Sequence, residues 1–249
     1  MIAMLRSTVH MAFMFVTVIP YSLLILLVRL LGTKGDKLYV IAQKWLTLSV
    51  DAARVIMGIR YEIQGQENLP VGEMSPAILL VKHQSTYETF LMPAIMPHPL
   101  AYVFKKELLY VPFFGWAIGS LDMIHIDRSQ RSKAFAKVVE QGKALLARGV
   151  WVIMFPEGTR IPRGERGSYK SGGARLAIAT GAPVIPVAVT SAKCWPRKAF
   201  IKYPGVVAVS IGKPISSEGR DADELTREVE AWIETEMHRL DPEAYIGKH

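Results

Sequence analysis

Two short runs without a polar residue, Ala77–Val81 and Val150–Phe155, constrain this chain most. Uninterrupted apolar segments of this length, bounded by polar turns, read as strands buried on both faces. Each empties into a polar cluster: His83-Gln84-Ser85-Thr86-Tyr87-Glu88 after the first, and Pro156-Glu157-Gly158-Thr159-Arg160 after the second. Polar clusters at two strand exits point to one site assembled along one edge of a sheet.

The first cluster carries its own mechanics. Five residues along an ideal helix turn through roughly 500°, so His83 and Glu88 would point about 140° apart on one continuous helix. They can meet only across a turn that opens a helix. Ser85 suits the N-cap, Glu88 then falls at the third helical position, and His83 lies in the preceding loop, facing the positive helix end. Histidine accepts a proton near neutral pH, and a carboxylate fixes its tautomer and stabilises the imidazolium. The same residues have a plainer reading, in which Ser85 to Glu88 form a capping box and His83 is a packed structural histidine. Both readings stay open at this level.

From Gly58 onward strand-like and helix-like patterns alternate, which favours an α/β domain with helices flanking a mixed, largely parallel sheet. Strands are expected at 61–63, 77–81, 101–104, 123–126, 150–155, 184–189 and 206–211. Helices are expected at 86–95, 133–148, 172–180 (closed by Gly181) and 222–240. In the 133–148 helix Phe135, Val138, Val139, Ala144 and Leu145 form the inward face. In the last helix the stripe Leu225, Val229, Trp232, Ile233, Met237 and Leu240 reads as core.

The first 57 residues differ in character. Met11–Val28 is almost wholly apolar, interrupted by Pro20, Tyr21 and Ser22, and lies at the lower edge of a membrane-spanning length. No small-residue cleavage site follows it, against a signal peptide. Pro20 leaves a kinked span or two half-helices lying in one leaflet. Tyr39–Met57 reads as an amphipathic helix with Trp45 at the interface. Residues 1–57 therefore form a membrane-anchoring segment and 58–249 the α/β domain. For a spanning segment, Arg29, Lys34, Lys37 and Lys44 outweigh Arg6, which keeps the following domain on the cytoplasmic side of an inner or plasma membrane.

A formal net charge of +8 favours anionic partners. The basic residues are scattered rather than gathered into a tail, and no zinc-finger, P-loop or RNA-recognition pattern is present, against nucleic acid. The single cysteine, Cys194, excludes an intrachain disulfide and fits a reducing compartment. No metal-ligand cluster or Gly-x-Ser-x-Gly elbow is visible, so neither a metal nor a serine nucleophile is expected.

In their order along the chain these blocks resemble the lysophosphatidic acid acyltransferase family of membrane glycerophospholipid acyltransferases. His83 through Glu88 resembles the family's His-x4-Asp motif, with glutamate in place of aspartate. Lys105-Lys106-Glu107-Leu108, Pro112, Gly115 and Ile126-Asp127-Arg128 resemble the second block. Phe155–Arg160 resembles the third, and Val184-Ile185-Pro186-Val187 the fourth. The resemblance implies that His83 takes the proton of the sn-2 hydroxyl of a 1-acylglycerol 3-phosphate, which attacks an acyl thioester to give phosphatidic acid. His83 and Glu88 are then the catalytic pair. Arg160, Lys105 and Arg128 supply cations for the lipid phosphate, while Gly158 and Thr159 offer backbone approach and a hydroxyl. Glu157 orients Arg160, contacts glycerol, or forms a structural salt bridge. Acyl-CoA or acyl carrier protein is the donor, membrane lipid the surroundings, and no cofactor is expected. The remaining readings are the same chemistry on another lysolipid or on glycerol 3-phosphate, a thioesterase, and a non-catalytic lipid-binding protein.

Overall fold

The structure of the protein, a computed structural model, describes residues 1–126 and 131–247, with side chains from Phe135 onward after the break. The strands are β1 (Ile59–Gln64), β2 (Ile78–Val81), β3 (Leu100–Lys105), β4 (Ile124–Ile126), β5 (Trp151–Met154), β6 (Val184–Val189) and β7 (Gly205–Ile211). They form one seven-stranded sheet in the order β1-β7-β6-β2-β5-β3-β4. Five neighbouring pairs are parallel, and the β6–β7 pair is antiparallel, so the sheet is mixed and largely parallel. The middle strands are apolar on both faces because helices cover both.

The helices are α1 (Ile2–Leu30), α2 (Asp36–Ala52), α3 (Tyr87–Ile95), α4 (Phe114–Ile118), α5 (Arg131–Leu146), α6 (Gly172–Thr180) and α7 (Ala222–Leu240). Side-chain alternation divides the core in two. Leu79, Val81, Ile153, Ile185 and Val187 face Tyr39 and Val50 of α2 and Leu91 and Met92 of α3. Ile78, Leu80, Val152, Val184 and Ala188 face Val138 of α5, Leu176 of α6 and Leu225, Val229 and Ile233 of α7. The α7 stripe is core as expected, with Trp232 and Leu240 only partly covered. On α5, Leu146 rather than Ala144 turns inward, because positions 145 and 146 continue the stripe of Val138 and Val139 at helical spacing.

α1 is one continuous helix through Pro20, not two half-helices. It is about 43 Å long at 1.5 Å per residue, and it is tied to the body at both ends. Near its start the Ser7 Oγ accepts the Lys202 N–H at 2.9 Å, and His10 meets Trp195 edge-on at 5.3 Å. Midway the Trp45 indole donates to Thr17 at 3.1 Å, and near the end the Arg29 guanidinium donates to the Ser120 carbonyl at 2.9 Å. Phe15, Val16, Leu23 and Leu27 stay exposed on its outer face. α2 shares the sheet's own core, and its Gln43 amide donates to the Pro93 carbonyl at 2.8 Å.

Candidate active site

β2, β5, β3 and β4 are consecutive neighbours and all parallel, so their C-terminal ends share one edge. His83 follows β2, Phe155–Arg160 follows β5 and Lys105 closes β3. Topology thus gathers three of the sequence blocks into the crevice where open α/β sheets bind ligands. Arg128 and Asp127 lie outside the described residues. The fourth block sits in β6, where Pro186 pairs with Leu80 and lies within the buried strand, behind the edge.

His83 is held from every side. Its Nδ1 lies 2.9 Å from the Glu88 Oε1, and the same oxygen accepts the Gln84 and Ser85 N–H groups at 2.8 and 2.7 Å. A carboxylate offers only acceptors, so Nδ1 carries the proton and Nε2 is left with a free lone pair. Glu88 thus holds the turn as well as the imidazole, but Ser85 is not the N-cap: its Oγ accepts the Tyr87 N–H at 3.1 Å, and the cap residue makes no side-chain cap hydrogen bond. The helix opens at Tyr87, with Thr86 at its cap position, one residue later than expected. The Phe155 ring stacks on the imidazole at 3.9 Å and 15°. The His83 carbonyl accepts the Ile161 N–H at 2.7 Å, and its own N–H donates to the Glu157 Oε2 at 2.7 Å. The side chain keeps 13% of its surface exposed, enough for a substrate proton to reach it. Because Glu88 takes the Gln84 and Ser85 N–H groups, these two are not free to stabilise an oxyanion.

The second cluster turns at Gly158, whose φ of +65° is a left-handed conformation that favours glycine. Glu157 points inward, with Oε1 2.7 Å from the Lys82 ammonium. Of its three open roles, the buried ion pair matches this geometry. Burial pushes its carboxyl up, and Lys82 and the His83 N–H pull it back. Thr159 is exposed and Arg160 half-buried at the rim. Among the described residues neither Arg160 nor Lys105 is engaged in an ion pair, so both leave a cation at the edge. No group of three His, Cys, Asp or Glu side chains converges to hold a metal among the described residues.

Residues 60–190 match the model of the Acyltransferase family. The chain belongs to the acyltransferase family. It is 44% identical over 205 residues to the 1-acyl-sn-glycerol-3-phosphate acyltransferase of Pseudomonas aeruginosa, covering 81% of this chain and 78% of that one. The Escherichia coli protein of the same name is 37% identical over 175 residues, with 67% and 69% covered. The crystal structure of the 1-acyl-sn-glycerophosphate acyltransferase PlsC from Thermotoga maritima superposes with a TM-score of 0.78 at 25% identity, covering 95% of each chain.

In this acyltransferase the sequence pattern missed one group that the fold brings together. Lys82, at the end of an apolar strand, pairs with Glu157 and with Glu234 of α7, to which the Tyr169 hydroxyl also donates. A lysine closing an apolar run was the available signal. The second block also packs on the short helix α4. Gly115 is buried against the backbone of the Lys106–Tyr110 turn, while Trp116 is half-exposed beside α1.

Proposed function

We propose that this acyltransferase moves an acyl chain from a thioester to the sn-2 hydroxyl of 1-acylglycerol 3-phosphate, forming phosphatidic acid. The observation that carries the reading is the His83–Glu88 pair, with Nε2 bare at a sheet edge that also presents Lys105 and Arg160. Nε2 takes the hydroxyl proton as the oxygen attacks the thioester carbonyl, and Glu88 stabilises the imidazolium that forms. Collapse of the tetrahedral intermediate expels the thiolate, which receives the proton back from His83. Arg160 grips the lipid phosphate through paired hydrogen bonds, with Lys105 as a second cation, and the family resemblance adds Arg128 to this set. The donor is a coenzyme A or acyl-carrier thioester, both anionic and suited to a chain of net charge +8.

The protein works at a membrane surface. α1 has a mean hydropathy of 2.4 over its most apolar stretch, of which only 11% is buried. Both its ends rest on the same body, so crossing a bilayer would drag that body into hydrocarbon. It therefore lies in the plane of one leaflet, with its exposed apolar face in lipid. A basic chain with one free cysteine suits the anionic cytoplasmic leaflet.

The test is acyl transfer to 1-acylglycerol 3-phosphate from each donor, with wild type and His83→Ala. Phosphatidic acid is expected from wild type, and a loss of about 10²–10⁴-fold from the variant. Transfer only to another lysolipid or to glycerol 3-phosphate, or release of free fatty acid alone, would replace this reading.

A further inference from the structure

Beneath the catalytic histidine lies a charged cluster that the proposed reaction does not use. The Lys82 ammonium sits 2.7 Å from the Glu157 Oε1 and 2.6 Å from the Glu234 Oε1, with the Glu165 carbonyl at 3.4 Å. Lys82 is fully buried, and the Tyr169 hydroxyl donates to the same Glu234 oxygen at 2.7 Å. Three donors thus face three acceptors drawn from different parts of the chain. Lys82 and His83 are successive residues at a strand end, so their side chains leave on opposite faces. Glu157 links the two faces, one oxygen on the Lys82 ammonium and the other on the His83 N–H.

Buried ion pairs are poor stabilisers, because desolvation offsets most of their attraction and apolar residues of equal volume serve as well. What such a group supplies is direction. We propose that Lys82 is a positioning residue for His83: it fixes the Glu157 carboxylate that holds the His83 backbone, and Glu234 of α7 fixes Lys82 in turn. The C-terminal helix is thereby linked to the reacting histidine through Glu234 and Lys82. The segment after β5 is bound into the same arrangement. Its Ile161 N–H holds the His83 carbonyl at 2.7 Å, its Glu165 carbonyl meets Lys82, and its Arg166 pairs with Glu230 of α7 at 2.8 Å. A shift of Lys82 moves the clamp on both polar atoms of the His83 peptide.

The inference rests on His83 as the base, and the experiment separates the two. Full-length wild type, Lys82→Met and Glu234→Gln are assayed in nanodiscs with 1-oleoylglycerol 3-phosphate and oleoyl-CoA, measuring kcat, KM and the acid limb of the pH profile. Failure of wild type with this acceptor would sink the reaction assigned above, and the variants would then be compared on the acceptor that works. Both variants are expected to lose roughly 10–100-fold in kcat, the scale of a small misplacement of a catalytic group, with KM for both substrates little changed. The groups around His83 are Glu88 and Glu157, with Lys82, Glu234 and Tyr169 behind. Loss of the Lys82 charge moves the acid limb to higher pH, and loss of the Glu234 charge moves it lower. Partial unfolding lowers kcat but cannot move that midpoint in opposite directions. An unchanged kcat, an unmoved midpoint, or a loss confined to KM in folded protein overturns the proposal. If Lys82→Met does not fold, Glu234→Gln decides alone by the same criteria.

Discussion

A single oxygen that receives three N–H groups, as the Glu88 Oε1 does from His83, Gln84 and Ser85, has little freedom to move. Glu88→Gln keeps the size of the side chain but removes the charge opposite the imidazolium. Its kcat is expected to fall about 10²–10⁴-fold in steady-state assays, and near-wild-type turnover would show that His83 needs no carboxylate partner. The spacing showed that residues 83 and 88 can meet only across a helix-opening turn, and it left the catalytic and capping readings both open. Lys82 and Glu234 are 152 positions apart, and no local rule joins them. Burial raises Glu157 above its ordinary value, so only between the unfolded and folded values does the folded chain hold a proton there that the unfolded chain has released. That contribution is present below the unfolded value and is lost as pH rises through the folded one. Lys82→Met removes the counter-charge, so its stability deficit in urea should widen as pH rises through the raised folded value of Glu157, reaching about 3–5 kcal/mol. A deficit that does not change with pH would contradict this. Burial likewise pushes the Cys194 thiol up, which keeps it protonated near neutrality. Maleimide labelling should be slow in native protein and become rapid in denaturant.

Elements were readable where burial imposed a pattern. β2, β5 and β6 are apolar on both faces, and α7 repeats its stripe at helical spacing, so their existence followed from residues alone. The antiparallel insertion of β7 between β6 and β1 did not, because pairing between distant strands leaves no local trace. Nor did the close approach of α6 to the sheet. A Cβ on Gly173 would run into the Leu80 side chain, which is itself packed within the sheet. Gly173→Ala is expected to cost about 1–3 kcal/mol by overpacking, read as a lower unfolding midpoint in detergent. A midpoint equal to wild type would mean that α6 can retreat without loss.

Across the whole molecule, the in-plane placement of α1 makes a claim about depth. Spin labels at Phe15, Val16, Leu23 and Leu27 should report similar, shallow positions in one leaflet, since all lie on the face turned from the body. A steady progression of depth from one end of α1 to the other would mean a span. The sequence pointed to a lipid-seeking segment, while the proposed in-plane orientation is supported by contacts with residues 120 and 202, far along the chain. The sheet order bears on how such a protein is made. β1 finds its partner only in β7, which begins about 140 residues later. On a ribosome adding roughly 5–20 residues per second, that interval is on the order of ten seconds. During it α1 and α2 are already complete, while the sheet is still being assembled. If α1 lies in one leaflet as proposed, the bilayer is the first surface open to it during synthesis, and the catalytic body folds onto a helix already placed in lipid.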